Sequence, residues 1–146
     1  MKIVLQRVSK ASVTVDDVRI GSISDGLMLL VGVHEDDTKE EMEWLAEKIL
    51  KLRVFDDKDG KMNLSVQDIN GEILVVPQFT LYGDYKQGNR PSYFEAAGPK
   101  KAKQLYKGIL TYFKENSSLN IERGEFGAYM DVELNNDGPV TLVMKR

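Results

Sequence analysis

An α+β fold, a small mostly antiparallel β-barrel or sheet with two main helices, is what the sequence predicts. Three observations predict it. β-branched and apolar runs dominate both ends of the chain, and only two segments carry apolar residues at helical spacing. Two helices are also too few to cover both faces of a doubly wound sheet. The length of 146 residues fits one domain. No linker, low-complexity tract or repeat divides it, so residues 1–146 are expected to form a single domain.

In chain order, residues 3–8 read as an extended strand, continued by Ser12-Val13-Thr14-Val15. Asp16-Asp17 is a two-residue hairpin turn into Val18-Arg19-Ile20. The apolar run 27–33, after the turn Asp25-Gly26, predicts a strand buried on both faces. Thr38 followed by Glu41 makes a capping box, and Met42, Leu45, Ala46, Ile49 and Leu52 supply the stripe of the first helix. Residues 56–60 form a polar turn, and 73–76 a second buried strand whose regular pairing Pro77 should end. The second helix opens at Gly98-Pro99, since proline suits a first helical turn, and carries Ala102, Leu105, Tyr106, Ile109, Leu110 and Phe113. The tail reads as strand (128–134), a hairpin turn at Asn135-Asn136-Asp137-Gly138, then strand (140–144).

Composition removes several chemistries. The chain has no Cys, hence no disulfide, thiolate nucleophile or Cys-based zinc site, and its one His allows no two-histidine metal site. The longest apolar run is far below the ~18–20 residues of a membrane span, and Arg7 interrupts the N-terminal apolar segment as no signal peptide would allow. A cytoplasmic protein is expected. The net charge of −3 is unevenly spread. Residues 35–47 hold seven acids against one Lys, while 82–107 hold six bases against Asp84 and Glu95. That basic face could meet a phosphate backbone, or be a solvated helix with its preceding loop.

The ordinary catalytic arrangements are missing. His34 sits at a strand end before three acids, with no nucleophile-elbow pattern anywhere, and reads as a loop histidine. Asp56-Asp57-Lys58-Asp59-Gly60 begins like a calcium loop, but the twelfth position is Gln67 rather than Glu. Two segments stand out instead. In Pro77-Gln78-Phe79-Thr80-Leu81 a buried strand stops at proline, and an amide, a ring and a hydroxyl follow. In Asn136-Asp137-Gly138-Pro139-Val140-Thr141 either a hairpin turn or a cis Gly-Pro bond is possible.

At these segments the chain resembles the D-aminoacyl-tRNA (D-tyrosyl-tRNA) deacylases. The resemblance runs through Met1-Lys2-Ile3-Val4-Leu5-Gln6-Arg7-Val8 and Ala11-Ser12-Val13-Thr14-Val15. It continues in Lys61-Met62-Asn63-Leu64-Ser65, Gln78-Phe79-Thr80-Leu81-Tyr82, Arg90-Pro91-Ser92 and the closing 136–141 motif. Each motif is weak alone, but together they span the chain in order.

The resemblance implies a D-tyrosyl-tRNA deacylase-like homodimer with active sites at the subunit interface and no cofactor or metal. Its substrate would be the ester of a D-amino acid, or of mischarged glycine, on the terminal adenosine of tRNA. It implies that Gly138-Pro139 is cis, enters the partner's pocket and leaves no space for an L side chain, an instance of specificity by repulsion. Arg7 would orient that motif across the interface, Asn136 would shape its turn, and Met130 would line the pocket. Catalysis would rest on backbone groups and the RNA's own 2′-hydroxyl, with oxyanion contacts at Gln78 and Phe79 and the Thr80 hydroxyl nearby. Lys86 and Arg90 would contact the tRNA.

Two departures from the family pattern matter. Pro77 stands where the family usually has Ser, so a mechanism needing that hydroxyl is excluded, and proline has no N–H to donate. The loop 86–90 is less basic than usual, which weakens phosphate contacts there. The alternative is a catalytically idle RNA-binding module of the same fold, silenced by Pro77. A small-molecule esterase would need a nucleophile–base pair that is not found.

Overall fold

A computed structural model describes residues 1–146. Strand β1 (Lys2–Val15) is the longest strand of the chain's first half. It turns at Asp16-Asp17, both at positive φ (48° and 62°), into β2 (Val18–Ile23). That is the two-residue hairpin whose twist suits antiparallel strands. β3 (Gly26–Gly32) returns along the other half of the same β1 edge. Helix α1 (Lys39–Lys51) follows, then the small pair β4 (Phe55–Asp56) and β5 (Met62–Leu64). β6 (Glu72–Pro77) leads into a 3₁₀ turn at Phe79–Tyr82. Helix α2 (Pro99–Asn116), β7 (Ile121–Arg123) and β8 (Asp131–Lys145) complete the chain.

The main sheet has six strands. β1 pairs antiparallel with β2, β3 and β8, whereas β3–β6 and β6–β7 are parallel. The parallel pairs exist because α1 and α2 are crossovers that return the chain to the same end of the sheet. β2 curls towards β6 and β7, so the sheet nearly closes into a barrel. Both helices pack on one face of it. There Ile3, Leu5, Leu27, Leu29, Ile73 and Val75 meet Leu45, Ile49, Ile109 and Phe113 in the larger core. The alternate residues Met28, Leu74 and Val76 point into a smaller core with Val8, Val13 and Ile23. Period-two alternation explains why β3 and β6 are apolar throughout: each of their faces has its own core.

Both helices form where their sequence signals place them. Thr38 accepts from Glu40 N–H and Glu41 closes the capping box. Gly98 is the N-cap of α2, Pro99 its first residue, and all six expected stripe residues are buried. The tail differs from expectation. Residues 131–145 are one strand, not a hairpin, and both halves pair with β1. β7, three residues long, has no counterpart among the predicted elements. The Asp57 carboxylate is spent on its own turn, accepting from the N–H groups of Asp59 (2.9 Å) and Lys61 (3.1 Å). The first amino group of the chain is buried against the Asp37 carboxylate and the Arg146 carbonyl. No helix is long and apolar enough to cross a membrane.

Several carboxylates are held below their usual range by hydrogen bonds to the charged form. For Asp68 the cause is first the Ser65 N–H, then the Ser65 hydroxyl. For Asp57 it is the N–H groups of Lys61 and Asp59, and for Glu41 chiefly the Thr38 hydroxyl. A folded-state value below the unfolded one stabilises above the unfolded value and is lost as pH falls through the folded one. Urea midpoints should therefore drop as pH falls below about 4, and Asp68→Asn should show a smaller drop than the parent. An equal drop in both proteins would remove Asp68 from the effect.

Candidate active site

The end of β6 is built by its neighbours. Pro77 is the last paired residue, opposite Val31 of β3. Gln78 N–H then donates to Val31 O at 2.8 Å, and the chain turns into the 3₁₀ segment. Tyr82 plugs that segment into the protein. Its ring lies under the Lys2 ammonium (4.6 Å) and beside the His34 ring (5.2 Å), and Lys2 Nζ donates to Leu81 O at 2.7 Å. Burial pushes the Tyr82 phenol well above its usual value, with Asp37 and Glu95 adding to the effect. The His34 Nδ1 accepts from Asp36 N–H at 3.1 Å, within its own loop.

This corrects one expected donor. The Gln78 N–H is already committed to Val31, so it is not a free oxyanion donor. The N–H groups of Phe79 and Thr80 have no intramolecular acceptor. Gln78 contributes its side chain, whose Nε2 donates to Thr80 Oγ1. An amide cannot accept a proton from a hydroxyl, so that partner does not activate Thr80 as a nucleophile. The Phe79 ring stands 58% exposed and edge-on to Tyr93 at 5.1 Å. Met130 is close by: a methyl group on Gly124 would lie 2.8 Å from Met130 Sδ and 3.3 Å from Pro77 Cδ. Sequence reasoning missed both Tyr93 and Gly124. Tyr93 follows Arg90-Pro91-Ser92 directly, and its contact with Phe79 depends on the loop fold.

That loop is closed by reciprocal Asp84–Ser92 backbone bonds of 2.8 Å each. Lys86 and Arg90 lie at its tip, exposed, and neither forms an ion pair.

The second segment is an arch in β8. Gln6 faces Thr141 and Val8 faces Asn136, so two steps along β1 correspond to five along β8. The surplus residues rise out of the sheet over Arg7. The Gly138-Pro139 bond is cis and Gly138 has φ +116°. Arg7 is 7% exposed. Its Nε donates to Asp137 O (3.3 Å) and meets Asp137 Oδ2 (3.0 Å), while Nη1 donates to Val54 O (2.7 Å). Within its own chain Arg7 holds the base of the arch. Asn136 spans the base of the arch, its Nδ2 donating to Arg7 O (3.0 Å) and Val140 O (2.9 Å) while Oδ1 accepts from Thr141 (3.0 Å). Gly138 and Pro139 are exposed at the crown.

Within one chain the two segments stay apart. Through β3, the end of β6 is level with Ile3 of β1, whereas the arch faces Arg7 from the opposite edge. Four residues of strand separate those levels by about 13 Å.

Gly138 sits where an added Cβ would meet Arg7 Nη2 and the Val140 side chain, each at 3.0 Å, in a backbone region that L side chains rarely adopt. Gly138→Ala should cost about 1–3 kcal/mol in urea unfolding. An unchanged midpoint would show that the arch is slack.

A family model described as D-Tyr-tRNA(Tyr) deacylase matches residues 4–145. The D-aminoacyl-tRNA deacylase of Thermotoga petrophila is 55% identical over 144 residues, covering 99% of this chain and 96% of the relative. That of Thermosipho africanus is 56% identical with the same coverage. Among solved structures, a c-Myc DNA unwinding element binding protein superposes with TM-score 0.94 at 42% identity, covering 100% of this chain and 99% of that one.

Proposed function

The chain belongs to the D-Tyr-tRNA(Tyr) deacylase family, and we infer that it hydrolyses the ester joining a D-amino acid to tRNA. It is a hydrolase, a D-aminoacyl-tRNA deacylase, as its full-length relatives are named. The arch is the observation on which we rest the proposed working of the site. It is the longest interruption in the pairing of β8, it presents Gly138 and Pro139 outward, and its base is pinned by Arg7 and Asn136.

The arch stands too far along β1 to cover Gln78–Thr80 of its own chain, which supports a second copy supplying it. The outer edge of β8 is unpaired, and Leu142 and Val143 are exposed beside the arch, which supports the same arrangement. In such a homodimer the Gly138 and Pro139 carbonyls of one copy hold the substrate's amino group in the other's pocket. An L side chain then meets backbone, whereas a D side chain or the hydrogen of glycine does not. Mischarged glycine is therefore also a substrate.

The ester carbonyl rests against the N–H groups of Phe79 and Thr80. Water adds to the carbonyl carbon, the oxyanion is held by those donors, and the ribose 3′-oxygen leaves with a proton relayed by the neighbouring 2′-hydroxyl. An activated ester needs little more than this positioning, and one well-placed donor contributes about 10²–10³ in rate. Pro77 fits the scheme because no step uses a hydroxyl or an N–H at that position. Met130 closes the pocket wall, and Lys86 and Arg90 approach the acceptor end.

Two measurements test this. With metal chelated, D-Tyr-tRNA should be deacylated rapidly and L-Tyr-tRNA left at its spontaneous rate. Loss of both esters would remove the arch as a chiral filter, and loss of neither, with tight tRNA binding, would leave an idle binding module. Thr80→Ala should retain activity within about ten-fold, because no base faces its hydroxyl. A fall of about 10⁴ or more would put that hydroxyl in the chemistry instead.

A further inference from the structure

A groove of about 420 Å³ lies between α2 and β7, apart from the arch and from the free N–H groups of Phe79 and Thr80. Its charged lining is Lys103 and Lys107, one helical turn apart on α2, Arg123 of β7, and a single acid, Glu125. None of the three cations forms an ion pair. The floor is rigid. Tyr106, 3% exposed, shares its one hydroxyl proton between Val75 O (2.9 Å) and Gly124 O (3.0 Å), tying the helix to β6 and to the end of β7. Gly124 lines the groove, and a Cβ added there would lie 2.8 Å from Met130 Sδ and 3.3 Å from Pro77 Cδ. The groove is thus joined to the end of β6 through Tyr106 and Gly124.

We propose that this groove seats the sugar–phosphate backbone of the base-paired acceptor stem, with Lys103, Lys107 and Arg123 as its phosphate contacts. The inference rests on the deacylase reading, because it takes the RNA's 3′ end to lie at Phe79. Charge complementarity selects the occupant. Three unneutralised cations on an otherwise acidic protein gain most from a polyanion whose counterions they release. The aromatic residues select the paired region over the unpaired end. Unpaired bases are recognised by exposed rings, whereas Tyr106 is buried and Phe126 packs against the core. Contacts of this kind position the RNA without reading its sequence.

The test uses a Lys103→Gln, Lys107→Gln, Arg123→Gln triple variant and a separate Glu125→Gln variant of the full chain. Binding of uncharged tRNA and of a short single-stranded CCA oligonucleotide is measured across a salt series, together with turnover of D-Tyr-tRNA. The triple variant should bind tRNA at least about ten-fold more weakly at about 0.15 M salt, with a log–log salt slope shallower by about 0.9 per lost phosphate contact. CCA binding and kcat should be unchanged. Glu125→Gln should bind tRNA more tightly, a gain that misfolding cannot mimic. Equal weakening for tRNA and CCA, or no change in the tRNA slope, overturns the proposal. If the parent fails to deacylate D-Tyr-tRNA while the tRNA-specific loss persists, the deacylase reading falls and takes with it the placement of the 3′ end at Phe79, while the groove's contact with the paired stem stands.

Discussion

Everything in the structure is registered on β1. Its one edge is shared end to end by β3 and β2, and its other edge carries β8 along nearly its whole length. A strand with both edges occupied cannot slip without breaking three ladders, so its side-chain alternation decides which residues face the helices and which face the barrel interior. Arg7 lies near the middle of this strand. It is buried, and Val54 O, Asp137 O and the Asp137 carboxylate surround its guanidinium. A planar fork with five donors suits that many-sided role, and removal of its partners would leave a costly buried charge. The arch inherits its position from this one side chain and from Asn136, whose amide closes the base against β1.

The local elements are legible in the sequence because local chemistry determines them. Thr38 and Glu41 announce α1, Gly98-Pro99 announces α2, and Asp16-Asp17 announces the hairpin. The direction of pairing is less legible. Nothing in residues 73–76 distinguishes a parallel from an antiparallel neighbour; the crossover helices decide it. β7 is invisible because three residues of mixed polarity carry no periodicity, and β6 recruits them. Asn135-Asn136-Asp137-Gly138 has the composition of a hairpin turn. It is an arch because the strand on both sides finds the same partner, which is a tertiary fact.

The site is legible as two odd segments rather than as a geometry. Gln78, Phe79 and Thr80 do end a buried strand, and Asn136 does organise its turn through four hydrogen bonds. Which N–H groups remain free cannot be read locally, because the acceptor of the Gln78 N–H is Val31, forty-seven residues earlier. The groups that seat Phe79 and Arg7, namely Tyr93 and the Val54 carbonyl, are likewise distant in sequence. Their role depends on the fold and leaves no local pattern.

The arch also has an evolutionary consequence. An extra residue within an ordinary strand reverses which side chains face inward from that point onward. Here the paired stretches on either side of the arch are anchored to β1 independently, at Leu134 opposite Ala11 and at Leu142 opposite Leu5. Insertions or deletions at the crown change the loop and leave the sheet alone. A lineage could therefore remodel what the arch presents, in length or in chemistry, while the barrel beneath is inherited unaltered.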